Sequence, residues 1–296
     1  MKSYSHHGHT AQSGRLPVPH ETAEIHTPAK TTIMSLSPEP IHMTHFIIRL
    51  FAILLVSMFT AANTPQAHAD VNQPMRVLFI GNSYTSVNNL PGMVQALATA
   101  AKEPRRFEFA ALTPGGWSLQ RHVDEEKSEA PKKIAEGKWD FVVLQDQSQM
   151  PFVYPKVTLD YGSKLGALIK EQKATPLLYL TWAREHQPEN QATITKTYTE
   201  LSKALDCPIA PVGPAWEAAR AQRKELVLYH ADNSHPSPAG TYLAACVFYA
   251  KIYGKSPEGL PAKLMLQTTG KPRLLADVPQ EDAAFLQKIA WKTVKP

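Results

Sequence analysis

Ser83 stands in the segment Gly81-Asn82-Ser83-Tyr84-Thr85, directly after the apolar run Val77-Leu78-Phe79-Ile80. Far downstream stands His230-Ala231-Asp232-Asn233-Ser234-His235-Pro236-Ser237. A carboxylate three residues before a histidine, inside one tight turn, can orient the imidazole and stabilise its cation. Such an imidazole can take the proton from a serine hydroxyl, which makes the serine a nucleophile for acyl transfer. Each segment also has a structural reading. Asn82 and Ser83 can serve as loop residues bonded to backbone, and a single histidine is often only packed.

Two further polar segments follow apolar runs. Thr113-Pro114-Gly115-Gly116-Trp117-Ser118 carries a glycine pair that lets backbone approach a ligand. Gln145-Asp146-Gln147-Ser148-Gln149 follows Phe141-Val142-Val143-Leu144. A glutamine amide offers N–H donors that can hold a developing oxyanion, while Asp146 and Ser148 can instead cap a helix.

The elements that must position these residues are legible as an alternation. Short apolar runs over 76–80, 107–112, 141–144, 176–180 and 208–212 read as strands. Helical patterns over 90–102, 119–136, 155–172, 190–205, 214–224, 237–253 and 280–292 fall between and after them. That order predicts βαβ units and a parallel sheet. The strand residues do not alternate apolar with polar, so both faces of the sheet are expected to be covered. In such sheets ligands bind beyond the carboxyl ends of the strands, where all the chemistry-bearing segments fall. Residues 255–277 are punctuated by Pro and Gly and read as a surface excursion.

The chain has 296 residues, 43% hydrophobic and 19% charged, with a formal net charge of +5. This is a globular balance. The basic residues form no stripe, so nucleic-acid binding is not expected. Residues 1–42 are rich in His, Pro, Ser and Thr and read as a disordered or spurious extension. Residues 43–69 read as a signal peptide: Arg49 precedes an apolar run from Leu50 to Ala62, and Ala67-His68-Ala69 offers a cleavage site. The run is shorter than the roughly 20 residues of a membrane span, so no stable anchor is expected after cleavage. Translation from Met43, cleavage near Ala69 and a single domain over 70–296 are therefore expected, with a periplasmic or secreted product. Eight of the 12 His lie before residue 70, leaving His122, His186, His230 and His235. The two cysteines, Cys207 and Cys246, are either a disulfide or two buried thiols. No spacing suggests a metal site.

Taken in order, the four segments resemble the SGNH (GDSL-type) hydrolase superfamily. Gly81-Asn82-Ser83 is similar to that family's first block, with Asn82 in place of Asp, and Asp232-x-x-His235 is similar to its last. The resemblance covers about residues 75–253. The third block lacks the family's Asn; Gln145 stands in its place, which looks like a divergent branch with Gln-x-Gln-Ser. The resemblance implies a flavodoxin-like three-layer α/β/α fold with about five parallel strands and neither cofactor nor metal. It implies catalytic roles for Ser83, Asp232 and His235. The implied oxyanion donors are Ser83, Gly116 (or Gly115 or the Leu119 N–H) and Gln145, with Gln147 next in line.

Tyr84, Trp117 and Trp182 follow strands one, two and four and, with Gln147, are candidates to touch a substrate. The expected activity is that of a secreted serine ester hydrolase removing short acyl groups, above all acetyl, from a carbohydrate or small-molecule ester. A lipase or lysophospholipase-type esterase and a non-catalytic carbohydrate-binding protein retaining the fold are the alternatives.

Overall fold

The structure is a computed structural model, and it describes residues 73–267 and 269–295. The readings of 1–42 and 43–69 lie outside the described residues.

Ten helices and seven strands are found among the described residues, besides a short 3₁₀ turn: β1 (Met75–Ile80), α1 (Ser83–Ser86), α2 (Leu90–Ala100), β2 (Phe107–Leu112), α3 (Leu119–Asp124), α4 (Ala130–Ala135), β3 (Phe141–Leu144), α5 (Met150–Val153), α6 (Pro155–Glu171), β4 (Thr175–Leu180), α7 (Asn190–Leu205), β5 (Ile209–Pro211), α8 (Val212–Gln222), α9 (Pro238–Tyr253), β6 (Lys263–Leu266), β7 (Arg273–Asp277) and α10 (Gln280–Val294). Five strands form one parallel sheet in the order β2-β1-β3-β4-β5.

The uninterrupted apolar run Val77-Leu78-Phe79-Ile80 of β1 now has its physical reason. Val77 and Phe79 point into one core with α2, α8, α9 and α10. Leu78 and Ile80 point into a second core with α3, α4, α6 and α7. Successive side chains of a strand face opposite sides, so a strand between two helical layers must be apolar at every position. The result is the expected three-layer α/β/α fold. Helix α9 is buried continuously from Gly240 to Ala250, which explains an apolar sequence with almost no polar face.

Three boundaries differ from the sequence reading. The helix expected over 119–136 is two helices, because Ser128 Oγ donates to the His122 carbonyl and accepts from the Ala130 N–H, turning the chain between them. The strand expected over 208–212 stops at Pro211, and α8 starts at once with Val212. The excursion over 255–277 contains the antiparallel β6–β7 hairpin, whose Leu264, Leu275 and Ala276 pack on the first core. Cys207 and Cys246 are both free and buried. Burial pushes the Cys207 thiol up to about 11.

The chain leaves β1 toward β2 on one side and reaches β3 on the other. The carboxyl end of β1 is therefore the switch point of the sheet, where a crevice opens between diverging connections.

Candidate active site

Ser83 is the first residue of α1, immediately past that switch point. Asn82 shapes the turn. Its side chain caps the helix by accepting from the Tyr84 N–H at 3.0 Å and donates through Nδ2 to the Trp117 carbonyl at 2.7 Å. His122 supports the same turn from beneath, with Nε2 2.7 Å from the Gly81 carbonyl. A carbonyl only accepts, so Nε2 carries the hydrogen. Burial lowers the pKa of His122, with Arg121 adding to the effect and the Gly81 bond opposing it.

Asp232 and His235 come from a loop closed on itself. His230 N–H donates to the His235 carbonyl, and Ser237 N–H to the Leu228 carbonyl, both at 2.8 Å. Asp232 Oδ1 accepts the N–H groups of Ser234 and His235 at 3.1 and 2.9 Å. Asn88 Nδ2 ties the loop to the β1 side by donating to the Pro236 carbonyl at 3.0 Å.

Within this frame His235 Nδ1 stands 2.5 Å from Asp232 Oδ2, and His235 Nε2 stands 2.8 Å from Ser83 Oγ. The serine and histidine are 152 positions apart in sequence. Partial burial raises the Asp232 pKa, but the His235 ring and the two N–H donors outweigh it and hold the carboxyl at about 2. Asp232 is thus an anion at any ordinary pH. A carboxylate fixed on one ring nitrogen sets the tautomer that leaves the other as the base facing serine.

Beside Ser83 Oγ lies a cavity of about 180 Å³, lined by Asn82, Tyr84, Gly116, Gln147, Ser148, Arg184, Ser234 and His235. Gly116 adopts φ +71°, a left-handed conformation suited to glycine, and a side chain placed there would meet open space. Tyr84 is 3% exposed; its ring stacks on Trp182 at 4.7 Å and its hydroxyl meets Ser234 Oγ at 2.7 Å. It forms a wall of the cavity, whereas Trp182 is buried behind it. Trp117 does not line this cavity. It lies over Arg121 and against His122, in a neighbouring depression with Pro114.

Gln145 is a correction. It is fully buried and does not face the cavity. Its Oε1 accepts from Asn82 N–H and Thr85 Oγ, each at 3.0 Å. Its Nε2 donates to Asn82 Oδ1 at 3.0 Å and to the Asp146 carbonyl. An amide nitrogen has two hydrogens, and both are engaged, so none remains for an oxyanion. Gln145 instead locks the nucleophile turn to the end of β3. Gln147 lines the cavity, where Asp146 Oδ1 accepts its backbone N–H at 2.8 Å and its Oε1 accepts the Gln149 N–H at 2.7 Å. That bond through the oxygen leaves the amide N–H groups available to a ligand.

Sequence reasoning passed over Ser148, Arg184 and Ser234. The rule that sites lie beyond strand ends reaches Arg184, four residues past β4, but does not separate it from its polar neighbours.

No protein-family model matches the sequence, and no curated protein matches it significantly. Solved structures do. A protein from Slackia heliotrinireducens described as an SGNH hydrolase is 27% identical, with a TM-score of 0.54 over 61% of this chain and 100% of its own. A DUF4886 family protein from Bacteroides uniformis is 18% identical, with a TM-score of 0.56 over 75% of this chain and 95% of its own. A carbohydrate esterase family 3 protein from Talaromyces cellulolyticus is 11% identical, with a TM-score of 0.51 over 61% and 97% of the two chains. The five-stranded parallel sheet with a serine beyond its first strand is the fold of these neighbours, and the likeness to the Slackia protein links the chain to the SGNH hydrolase superfamily.

Proposed function

We propose that the protein is a serine ester hydrolase that removes short acyl groups, acetyl foremost, from carbohydrate. The observation that carries this reading is the continuous relay from Asp232 through His235 to Ser83, with separations of 2.5 and 2.8 Å. His235 Nε2 takes the Ser83 proton as Oγ attacks the ester carbonyl carbon. The carbonyl oxygen becomes an anion, accepted by the N–H groups of Ser83 and Gly116 and by the Gln147 amide. As the tetrahedral centre collapses, His235 returns its proton to the departing alcohol and Ser83 holds the acyl group. His235 then deprotonates a water, which releases the acid and restores the serine. No step calls for a metal or cofactor.

The small cavity of about 180 Å³ beside Ser83 supports a short acyl group. A carbohydrate esterase with the same fold supports the substrate class. Export by the segment 43–69 would bring the enzyme to extracellular or envelope polysaccharide, and N-terminal sequencing of exported protein tests that part: a mature start near Asp70 is expected.

A fluorophosphonate probe tests the chemistry. Labelling should fall on Ser83 and vanish in Ser83→Ala, together with a loss of at least about 10⁴-fold in hydrolysis of 4-nitrophenyl acetate. An unlabelled, folded protein, or undiminished turnover by the variant, would overturn the reading.

A further inference from the structure

The catalytic cavity contains a cation that no ion pair among the described residues neutralises. Arg184 lines it together with Ser83 and His235. Its Nη2 donates to Ser148 Oγ at 3.1 Å, a neutral acceptor. Its Nε is buried and has no hydrogen-bond partner among the described residues. The nearby carboxylates are all committed elsewhere. Glu185 pairs with Arg220 at 2.6 Å. Asp232 pairs with His235. Asp146 accepts from Leu119 N–H, Gln147 N–H and Thr158 Oγ. Among the described residues, Arg184 belongs to no ion pair.

Removing a guanidinium from water without a counter-charge is costly, so partly buried arginines normally meet a carboxylate or phosphate. Here the segment leaving β4 holds the arginine in place: Gln187 N–H donates to its carbonyl and Glu185 N–H to the Asn233 carbonyl, each at 3.0 Å. The second tie joins the arginine's segment to the loop that carries Asp232 and His235. An ester bound at Ser83 shares its cavity with the guanidinium, whose planar fork of N–H groups fits two carboxylate oxygens.

We propose that Arg184 is a specificity residue that selects esters bearing a carboxylate near the scissile bond. This deepens the proposed function and rests on it. The anion can reside on the acyl side, as in a dicarboxylic half-ester, or on the alcohol side, as in an acylated uronic acid. The chemistry at Arg184 is the same in both.

Two matched pairs separate the sources: 4-nitrophenyl hydrogen succinate against 4-nitrophenyl butyrate, and acetylated glucuronic acid against acetylated glucose. The charged member of at least one pair should show kcat/KM about tenfold or more higher, on the order of 1.4 kcal/mol. Arg184→Gln should abolish that preference, lowering kcat/KM for the charged ester about tenfold or more relative to its neutral partner. Arg184→Lys should restore part of it, as a point charge without the fork. Equal rates within both pairs, or equal losses on charged and neutral esters in Arg184→Gln, would overturn the proposal.

Calorimetry with Ser83→Ala reads the same site without turnover. Arg184-dependent binding of succinate or glucuronate, with no binding of glucose, sustains the anion site even where every ester is left uncleaved, an outcome that would sink only the hydrolase reading. Binding of neither anion overturns the anion site.

Discussion

Two glutamines two positions apart have opposite duties. Gln147 faces the cavity, and Gln145 is fully buried with its amide engaged on all sides. Truncating them should therefore damage different quantities. Gln147→Ala removes the proposed oxyanion donor and should lower kcat about 100- to 1000-fold with little change in melting temperature. Gln145→Leu strands the buried N–H of Asn82 and the Thr85 hydroxyl and should cost about 1–3 kcal/mol of stability, read as a fall in urea midpoint. The reverse pattern would exchange their roles. Ser83, Asp232 and His235 could be proposed from sequence because their signals are local: a serine ending an apolar strand and a carboxylate three residues from its histidine. The choice between Gln145 and Gln147 could not. It depends on where the chain bends after β3. Contacts from far away fix that bend, with Asp146 N–H on the Tyr198 hydroxyl and Asp146 Oδ1 on the Leu119 N–H.

At the scale of elements, the site rests on how α9 begins. Ser237 caps it, its Oγ accepting the Gly240 N–H at 3.1 Å and donating to the Val227 carbonyl at 2.7 Å. Gly240 sits where a Cβ would lie 2.3 Å from the Leu228 carbonyl and 2.4 Å from the Trp216 ring. The close approach of helix and loop requires the missing side chain. Gly240→Ala should push the 228–236 loop outward, carrying His235 away from Ser83. A loss of activity larger than the loss of helical signal by circular dichroism is expected; full activity with an unchanged melting temperature would show that the loop can yield. The helices and the parallel strands were readable from period and length. The β6–β7 hairpin was not, because its strands are short, half-exposed and set among Pro and Gly. The β5–α8 junction was blurred for a different reason: strand and helix join without a loop, so a single apolar run spans both.

For the molecule as a whole, His122 and Asp232 each give stability a dependence on pH. Burial lowers the His122 pKa in the folded state below its ordinary value of 6.5. As pH falls through that value the unfolded chain takes up a proton before the folded one, so stability declines. Asp232 acts lower. Its folded pKa is about 2 against an ordinary 3.8, so its contribution is present above 3.8 and is lost as pH falls toward 2. Urea midpoints measured from pH 8 to 5 should therefore fall with acid, and His122→Gln should flatten that slope. A slope unchanged in the variant would remove His122 as its source.

The separation of 152 residues between Ser83 and His235 also has a meaning in time. Ribosomes deliver β1 and its serine early, while the aspartate–histidine turn emerges near the end, and domains fold as the chain is made. A half-finished polypeptide, or one truncated before residue 235, holds a serine hydroxyl with no base to activate it. Biosynthesis itself thus keeps the chemistry silent until almost the entire sheet and both helical layers are available to shape what the serine can reach.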